Sequence, residues 1–93
     1  MMHQFNRTME YLESKLDAEV DLQKFQQLSG YSYALFSRLF SILADMTLAE
    51  YLRNRRLSEA VTDLRESSEK VIDIAMKYGY ESADAFSAAF KKF

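Results

Sequence analysis

Cysteine, proline and tryptophan are absent from this 93-residue chain, glycine occurs twice and histidine once. Without cysteine there is neither a disulfide framework nor a thiolate metal site, and the expected compartment is the cytoplasm. A single histidine, His3, no glycine-rich phosphate loop and no paired carboxylates on a rigid apolar face leave no catalytic set. An enzyme is therefore not expected, nor any cofactor or metal. No apolar run approaches membrane-spanning length, and the first ten residues carry neither the apolar core nor the small-residue cleavage pattern of a secretion signal. What remains is a cytoplasmic binding module.

The shortage of proline and glycine also leaves few breaks, so the chain reads as nearly all helix. Gly30 and Gly79 are the punctuation. Ahead of Gly30, Leu22, Phe25 and Leu28 mark a short helix with Asp21 at its N-terminus. After it, Ser32 caps a helix whose apolar stripe is Phe36, Leu39, Phe40 and Leu43. Ahead of Gly79 the stripe is Val71, Ile74, Ala75 and Tyr78; after it, Ser82 caps a helix striped by Phe86, Ala89, Phe90 and Phe93. The second pattern repeats the first: Phe36-Ser37-Arg38-Leu39-Phe40 answers Phe86-Ser87-Ala88-Ala89-Phe90, and Gly30-Tyr31 answers Gly79-Tyr80. Each copy is a helix, a tight turn and a helix.

Between the copies, Thr47-Leu48-Ala49-Glu50 is a capping box that opens a helix running to about Arg65. Its apolar residues form two patches, Leu48, Tyr51 and Leu52, then Leu57, Ala60, Val61 and Leu64, which face different directions because the step from Leu52 to Leu57 turns the helix about 140° beyond a full turn. One patch suits each lobe. Met9, Leu12 and Leu16 predict one more amphipathic helix covering the first lobe. The expected fold is all-α, with two helix-turn-helix subdomains of tri-helical, homeodomain-like form: residues 1–46, a linker helix over 47–66, and residues 67–93.

A helix-turn-helix sets its second helix in the DNA major groove, the N-terminal part of that helix facing base edges. The outward residues are Ser32, Tyr33, Ala34, Ser37, Arg38 and Ser41 in the first unit, and Ser82, Ala83, Asp84, Ser87, Ala88 and Lys91 in the second. A net charge of -2 argues mildly against a nucleic-acid partner, since Lys and Arg supply most of the phosphate attraction. Its distribution weakens that argument: residues 30–43 carry Arg38 and no acid. The phenylalanine set sits at helical spacing, which points to core packing rather than base stacking; Tyr33 lies off the stripe, where it can meet a sugar or a thymine methyl. Arg53, Arg55 and Arg56 point to different sides of their helix beside Glu50, Glu59 and Asp63, so a structural role competes with a phosphate-binding one.

The strings Tyr51-Leu52-Arg53-Asn54-Arg55-Arg56-Leu57, Leu64-Arg65-Glu66-Ser67, Val71-Ile72-Asp73-Ile74-Ala75, Tyr78-Gly79-Tyr80-Glu81-Ser82 and Phe86-Ser87-Ala88-Ala89-Phe90-Lys91-Lys92-Phe93 together resemble the signature of the AraC/XylS family of transcription regulators, from about Asp21 onward. The resemblance implies sequence-specific binding of double-stranded promoter DNA through two recognition helices, usually to activate transcription. Arg38 stands at the family's base-contacting arginine. The resemblance also implies a closing helix past Phe93 and an effector-sensing or dimerising domain elsewhere, so the chain is expected to be a fragment.

Four departures qualify that implication. Gln26 replaces a small alanine against the first turn, and Asp45 a glycine. Ala88 stands where many members carry arginine, and Asp84 has the wrong sign for a phosphate contact, so the second unit is expected to bind weakly or to read shape. The alternative is a degenerate helix-turn-helix module that mainly docks a protein partner, RNA polymerase or a sister subunit.

Overall fold

The computed structural model describes residues 2–92, and those residues form helices and connecting turns with no strand. The helices are α1 (Met2–Glu13), α2 (Leu22–Ser29), α3 (Tyr33–Ala44), α4 (Leu48–Glu66), α5 (Val71–Lys77) and α6 (Ala83–Lys91). Local chemistry explains most of their ends. An Asp21 carboxylate oxygen accepts from the Gln23 and Lys24 amides at 3.1 and 3.2 Å. Ser32, Thr47 and Ser82 each accept from the amide three residues on, at 3.2, 3.0 and 3.0 Å, satisfying donors that a helix N-terminus leaves open.

The turns close differently in the two units. Gly30 ends α2 in the left-handed region at φ 80°. The buried Ser29 hydroxyl accepts from the Tyr31 amide at 3.0 Å and donates to the Tyr31 carbonyl at 2.9 Å, pinning the turn. After α5, Gly79 adopts φ 89° and the Tyr80 amide reaches back to the Ala75 carbonyl at 3.0 Å, the long bond of a Schellman closure. Asp45 takes the left-handed conformation at the end of α3, φ 59°. Aspartate tolerates that region better than most residues, since its short polar side chain bonds locally.

Two separate cores result. Tyr11, Leu12, Leu16, Phe25, Phe36, Phe40, Leu48 and Leu52 are buried together, and Leu57, Ala60, Ile74, Ala75, Tyr78 and Phe86 form a second cluster. Helix α4 contributes to both, Leu48 and Leu52 to the first and Leu57 and Ala60 to the second. In the first core Phe25 meets Phe36 edge-on with centroids 5.0 Å apart, and Phe5 stacks on Phe36 at 5.4 Å. In the second, Phe86 meets Tyr80 and Phe90 edge-on at 5.4 and 5.0 Å. The molecule is elongated, 40 Å by 24 Å by 21 Å.

Several stripe residues depart from expectation. Leu39 and Leu43 are 37% and 70% exposed, because the apolar side of α3 is wider than the surface that α1 and α2 cover. Leu22 and Val71 sit in the first turns of α2 and α5, ahead of the residues that meet each core, and Leu64 lies in the last turns of α4; all three are exposed. Gln26 is exposed too, so its bulk does not press on the turn. Leu16 is buried, but in the turn after α1 rather than on it. There the Lys15 amide bonds the Leu12 carbonyl at 3.0 Å and the Ala18 amide the Lys15 carbonyl at 3.2 Å, tighter three-residue closures that end the helix. Phe93, last in the second stripe, lies outside the described residues.

Candidate nucleic-acid interface

The side chains of α3 divide by angle. Phe36 and Phe40 point into the first core, and at about 100° per residue Ser37, Arg38 and Ser41 turn away from it. A shallow groove of about 240 Å³ runs along this side, lined by Tyr33, Ser37, Arg38 and Ser41 from α3 and by Thr47 and Ala49 from the start of α4. Arg38 is exposed and, among the described residues, makes no hydrogen bond or ion pair within the protein. Its fork of donors is available to a partner. Ala34 is exposed and offers only a methyl. Ser41 donates its hydroxyl to the Ser37 carbonyl at 3.0 Å, and Ser32 holds the α3 cap with its oxygen. Tyr33 is half-buried, its ring 5.1 Å from that of Phe25, so one side belongs to the core and the other to the groove.

Thr47 and Ala49 were legible only as the opening of a helix. The Thr47 cap that marks it follows α3 by a few residues; Glu50 makes no return bond to the Thr47 amide among the described residues, and the first amides of α4 lie on the side of the groove shared with Arg38, where an anion is favoured.

The second unit is plainer. Asp84, Ser87, Ala88 and Lys91 are exposed, Ala83 is half-buried, and the Ser82 oxygen is engaged as the α6 cap. Asp84 stands in the first helical turn and Lys91 in the last, each with the sign that complements the helix dipole. Lys91 is the one cation among the six candidate residues of this face.

Behind this face, the buried Tyr78 donates its hydroxyl to Asp63 Oδ2 at 2.7 Å, and Lys77 Nζ reaches the same oxygen at 3.1 Å. The tyrosine, and then the lysine, hold the Asp63 carboxyl below the usual aspartate range. Burial, and then Asp63, push the Tyr78 phenol upward. A depressed carboxyl contributes stability above its unfolded value near 3.8 and loses it as pH falls through the folded value. A raised phenol contributes below its ordinary value of 10.0 and loses it as pH climbs. The pair therefore supports the second unit between those limits. Tyr78→Phe is expected to cost about 1 to 2 kcal/mol at pH 7 and to flatten the acid limb of stability, read by urea unfolding at pH 7 and pH 3. An equal loss at both pH values would mean that the bond to Asp63 carries none of the effect.

The other flank of α3 is apolar. Leu35, Leu39, Ile42 and Leu43 are exposed, and a pocket of about 210 Å³ lies between this flank and Phe5 of α1. No helix among the described residues is long and apolar enough to cross a membrane, and no cluster of three or more metal-ligating side chains occurs among them.

Residues 26–93 match the family described as a helix-turn-helix domain. The chain is 36% identical over 81 residues to the transposon Tn10 TetD protein of Escherichia coli, covering 87% of this chain and 59% of that protein. It is 34% identical over 94 residues to the regulatory protein SoxS of Salmonella typhimurium, covering 99% of this chain and 88% of SoxS. It thus spans about three fifths of the first relative and most of the second. Among solved structures, an AraC-type transcriptional regulator from Chromobacterium violaceum superposes with a TM-score of 0.81 at 19% identity, covering 98% of this chain and 81% of that one. The DNA-binding domain of AdpA, solved in complex with a target DNA, superposes with a TM-score of 0.74 at 21% identity, covering 94% and 78%.

Proposed function

The chain belongs to the AraC/XylS family of helix-turn-helix proteins, and from that premise we propose that it is a cytoplasmic transcription regulator that binds promoter DNA through α3 and α6. The observation that carries this reading is Arg38: an arginine exposed and unpartnered on the outward side of the second helix of a helix-turn-helix, where a guanidinium meets guanine O6 and N7. Ser37, Tyr33 and Ala34 flank it, Ser32 and Ser41 stand at the ends of the face, and the amides at Thr47 and Ala49 take an adjacent phosphate. The second unit approaches through Ser82, Ala83, Asp84, Ser87, Ala88 and Lys91. The 19-residue α4 that joins the units is about 28 Å long, comparable with the roughly 34 Å between successive major-groove faces, which supports one chain addressing two subsites. Because the two faces differ, the target is asymmetric.

Selection of bound duplexes from a random library at two salt concentrations tests this. Enrichment of an asymmetric site with two subsites about one helical turn apart, weakening with added salt in proportion to the phosphates neutralised, is the expected result; no enriched sequence at either concentration sinks it. Ala88→Arg is expected to strengthen binding by about 1 kcal/mol through an added phosphate or base contact, measured by fluorescence anisotropy on the selected site. Unchanged or weaker binding would mean that α6 does not enter the groove.

A second reading is favoured by the apolar flank of α3. Ile42 is 79% exposed, and large exposed apolar residues grouped on one face mark contact surfaces. On this reading the flank docks RNA polymerase beside the promoter. Binding to the polymerase that persists at high salt and is lost in Ile42→Lys, with DNA affinity unaltered, is the result that distinguishes it.

A further inference from the structure

Arginines 53, 55 and 56 fall between Leu52, the last α4 residue of the first core, and Leu57, the first of the second. The helix passes there from one lobe to the other. Two of the three are tied down. Arg55 Nε and Nη2 donate to Glu13 at 2.8 to 3.1 Å in a forked pair, and Nη2 also reaches Glu59 Oε1 at 3.0 Å. Arg56 Nε donates to the Leu16 carbonyl at 3.1 Å. These bonds join residues 40 and 42 positions apart, further along the chain than any other side-chain bond among the described residues. They run from α4 to the end of α1 and the turn after it. The same turn faces the end of α5: Leu16 and Asp17 line a cleft with Arg56, Met76, Lys77 and Tyr78.

The end of α1 and the turn after it thus brace the middle of α4 and lie across a cleft from the second unit. Energy alone gives it a small part in stability, since all three carboxylate and guanidinium groups remain about a third or more exposed and such pairs contribute about 0 to 1 kcal/mol. Geometry gives it a larger one. The two cores share no buried residue among those described, so besides the packing of α4 into each core it is this brace of side-chain hydrogen bonds that ties the end of the first unit to the middle of α4. A forked guanidinium constrains direction as well as distance, which a lysine does not.

We propose that Arg55 and Arg56 are positioning residues that lock the two helix-turn-helix units in one relative orientation, and that this orientation selects the spacing between the two DNA subsites. The second half rests on the promoter-binding reading above. Linked modules reinforce one another most when the linker matches the span of their sites; loosening the brace spreads the span, lowering affinity at the preferred spacing and raising it relatively at others.

The test uses the full chain and its Arg55→Ala/Arg56→Ala variant, each also carrying Gln27→Cys and Glu81→Cys for spin labels, which the cysteine-free sequence makes unambiguous. Double electron–electron resonance is expected to give one narrow distance distribution for the parent and a broadened one for the variant, with the thermal midpoint lowered by no more than about 5 °C. An unbroadened distribution overturns the proposal whatever DNA does. Binding is then compared on the selected site and on sites with its spacer changed by one base pair. The ratio of affinities is expected to shrink about fivefold or more in the variant, with Arg55→Lys restoring less than half of it. Broadening with an unchanged ratio overturns the role in spacing. If the parent itself binds no duplex specifically, the promoter-binding reading fails and the role in spacing falls with it, while the distance distributions still decide the brace.

Discussion

Phe25→Ala is expected to destabilise the first lobe by about 3 to 5 kcal/mol, a large part of the roughly 5 to 15 kcal/mol that holds a domain of this size together. Phe25 is fully buried. Its ring meets Phe36 edge-on and leans against Tyr33 at 5.1 Å, so truncation opens a void that two neighbouring rings fill poorly. It is the buried phenylalanine of α2, and without it little holds α2 against α3. The consequence for the rest of the molecule is sharper. Since the cores share no side chain, amides of α5 and α6 should keep their protection in native-state hydrogen exchange while those of α2 and α3 lose it. Phe86→Ala should reverse the pattern. Equal loss of protection in both lobes would instead make α4 a rigid coupler that unfolds the molecule as one unit.

The punctuation of this fold was legible because it is local. Ser32, Thr47 and Ser82 cap the helices they were expected to cap, Asp21 stands at the helix start where an acid was expected and caps it as well, and Gly30 and Gly79 take the left-handed conformation that glycine adopts without strain. The division of α4 into two patches was legible for the same reason: angles along one helix follow from residue count. Periodicity says which side of a helix is apolar, though not whether anything covers it, and that is why Leu39 and Leu43 read as core and stand exposed. Partners distant in sequence left no trace either. Tyr11 is buried, and its hydroxyl accepts from the Asp21 amide at 3.0 Å, joining α1 to the start of α2; nothing in its neighbours marks it out. The Glu13–Arg55 pair spans 42 positions, and charge proximity along the chain pointed only to the nearer acids. On the outward side of α3, residue count placed Ser37, Arg38 and Ser41 together, while the approach of Thr47 and Ala49 required the turn after α3 to be seen.

Arg38→Ala is expected to weaken binding to the selected site by about 1 to 3 kcal/mol, roughly 5- to 150-fold in Kd, and to relax preference at one base pair. Folding should be unaffected within about 0.5 kcal/mol, the ordinary range for a surface change, because Arg38 is exposed and supports nothing else in the chain. Loss of affinity alone does not separate a base contact from a phosphate contact. Salt does: a lost phosphate contact lowers the slope of log affinity against log salt by about one and weakens all sequences alike, whereas a lost base contact weakens the preferred base pair most. Arg38→Lys sharpens the distinction. Lysine keeps the charge without the fork, so a base-reading site should recover some affinity and little discrimination. Full recovery by lysine would make Arg38 a phosphate anchor and move base reading to Ser37, Tyr33 and Ala34, while an Arg38→Ala variant that binds like the parent would take α3 out of the groove altogether.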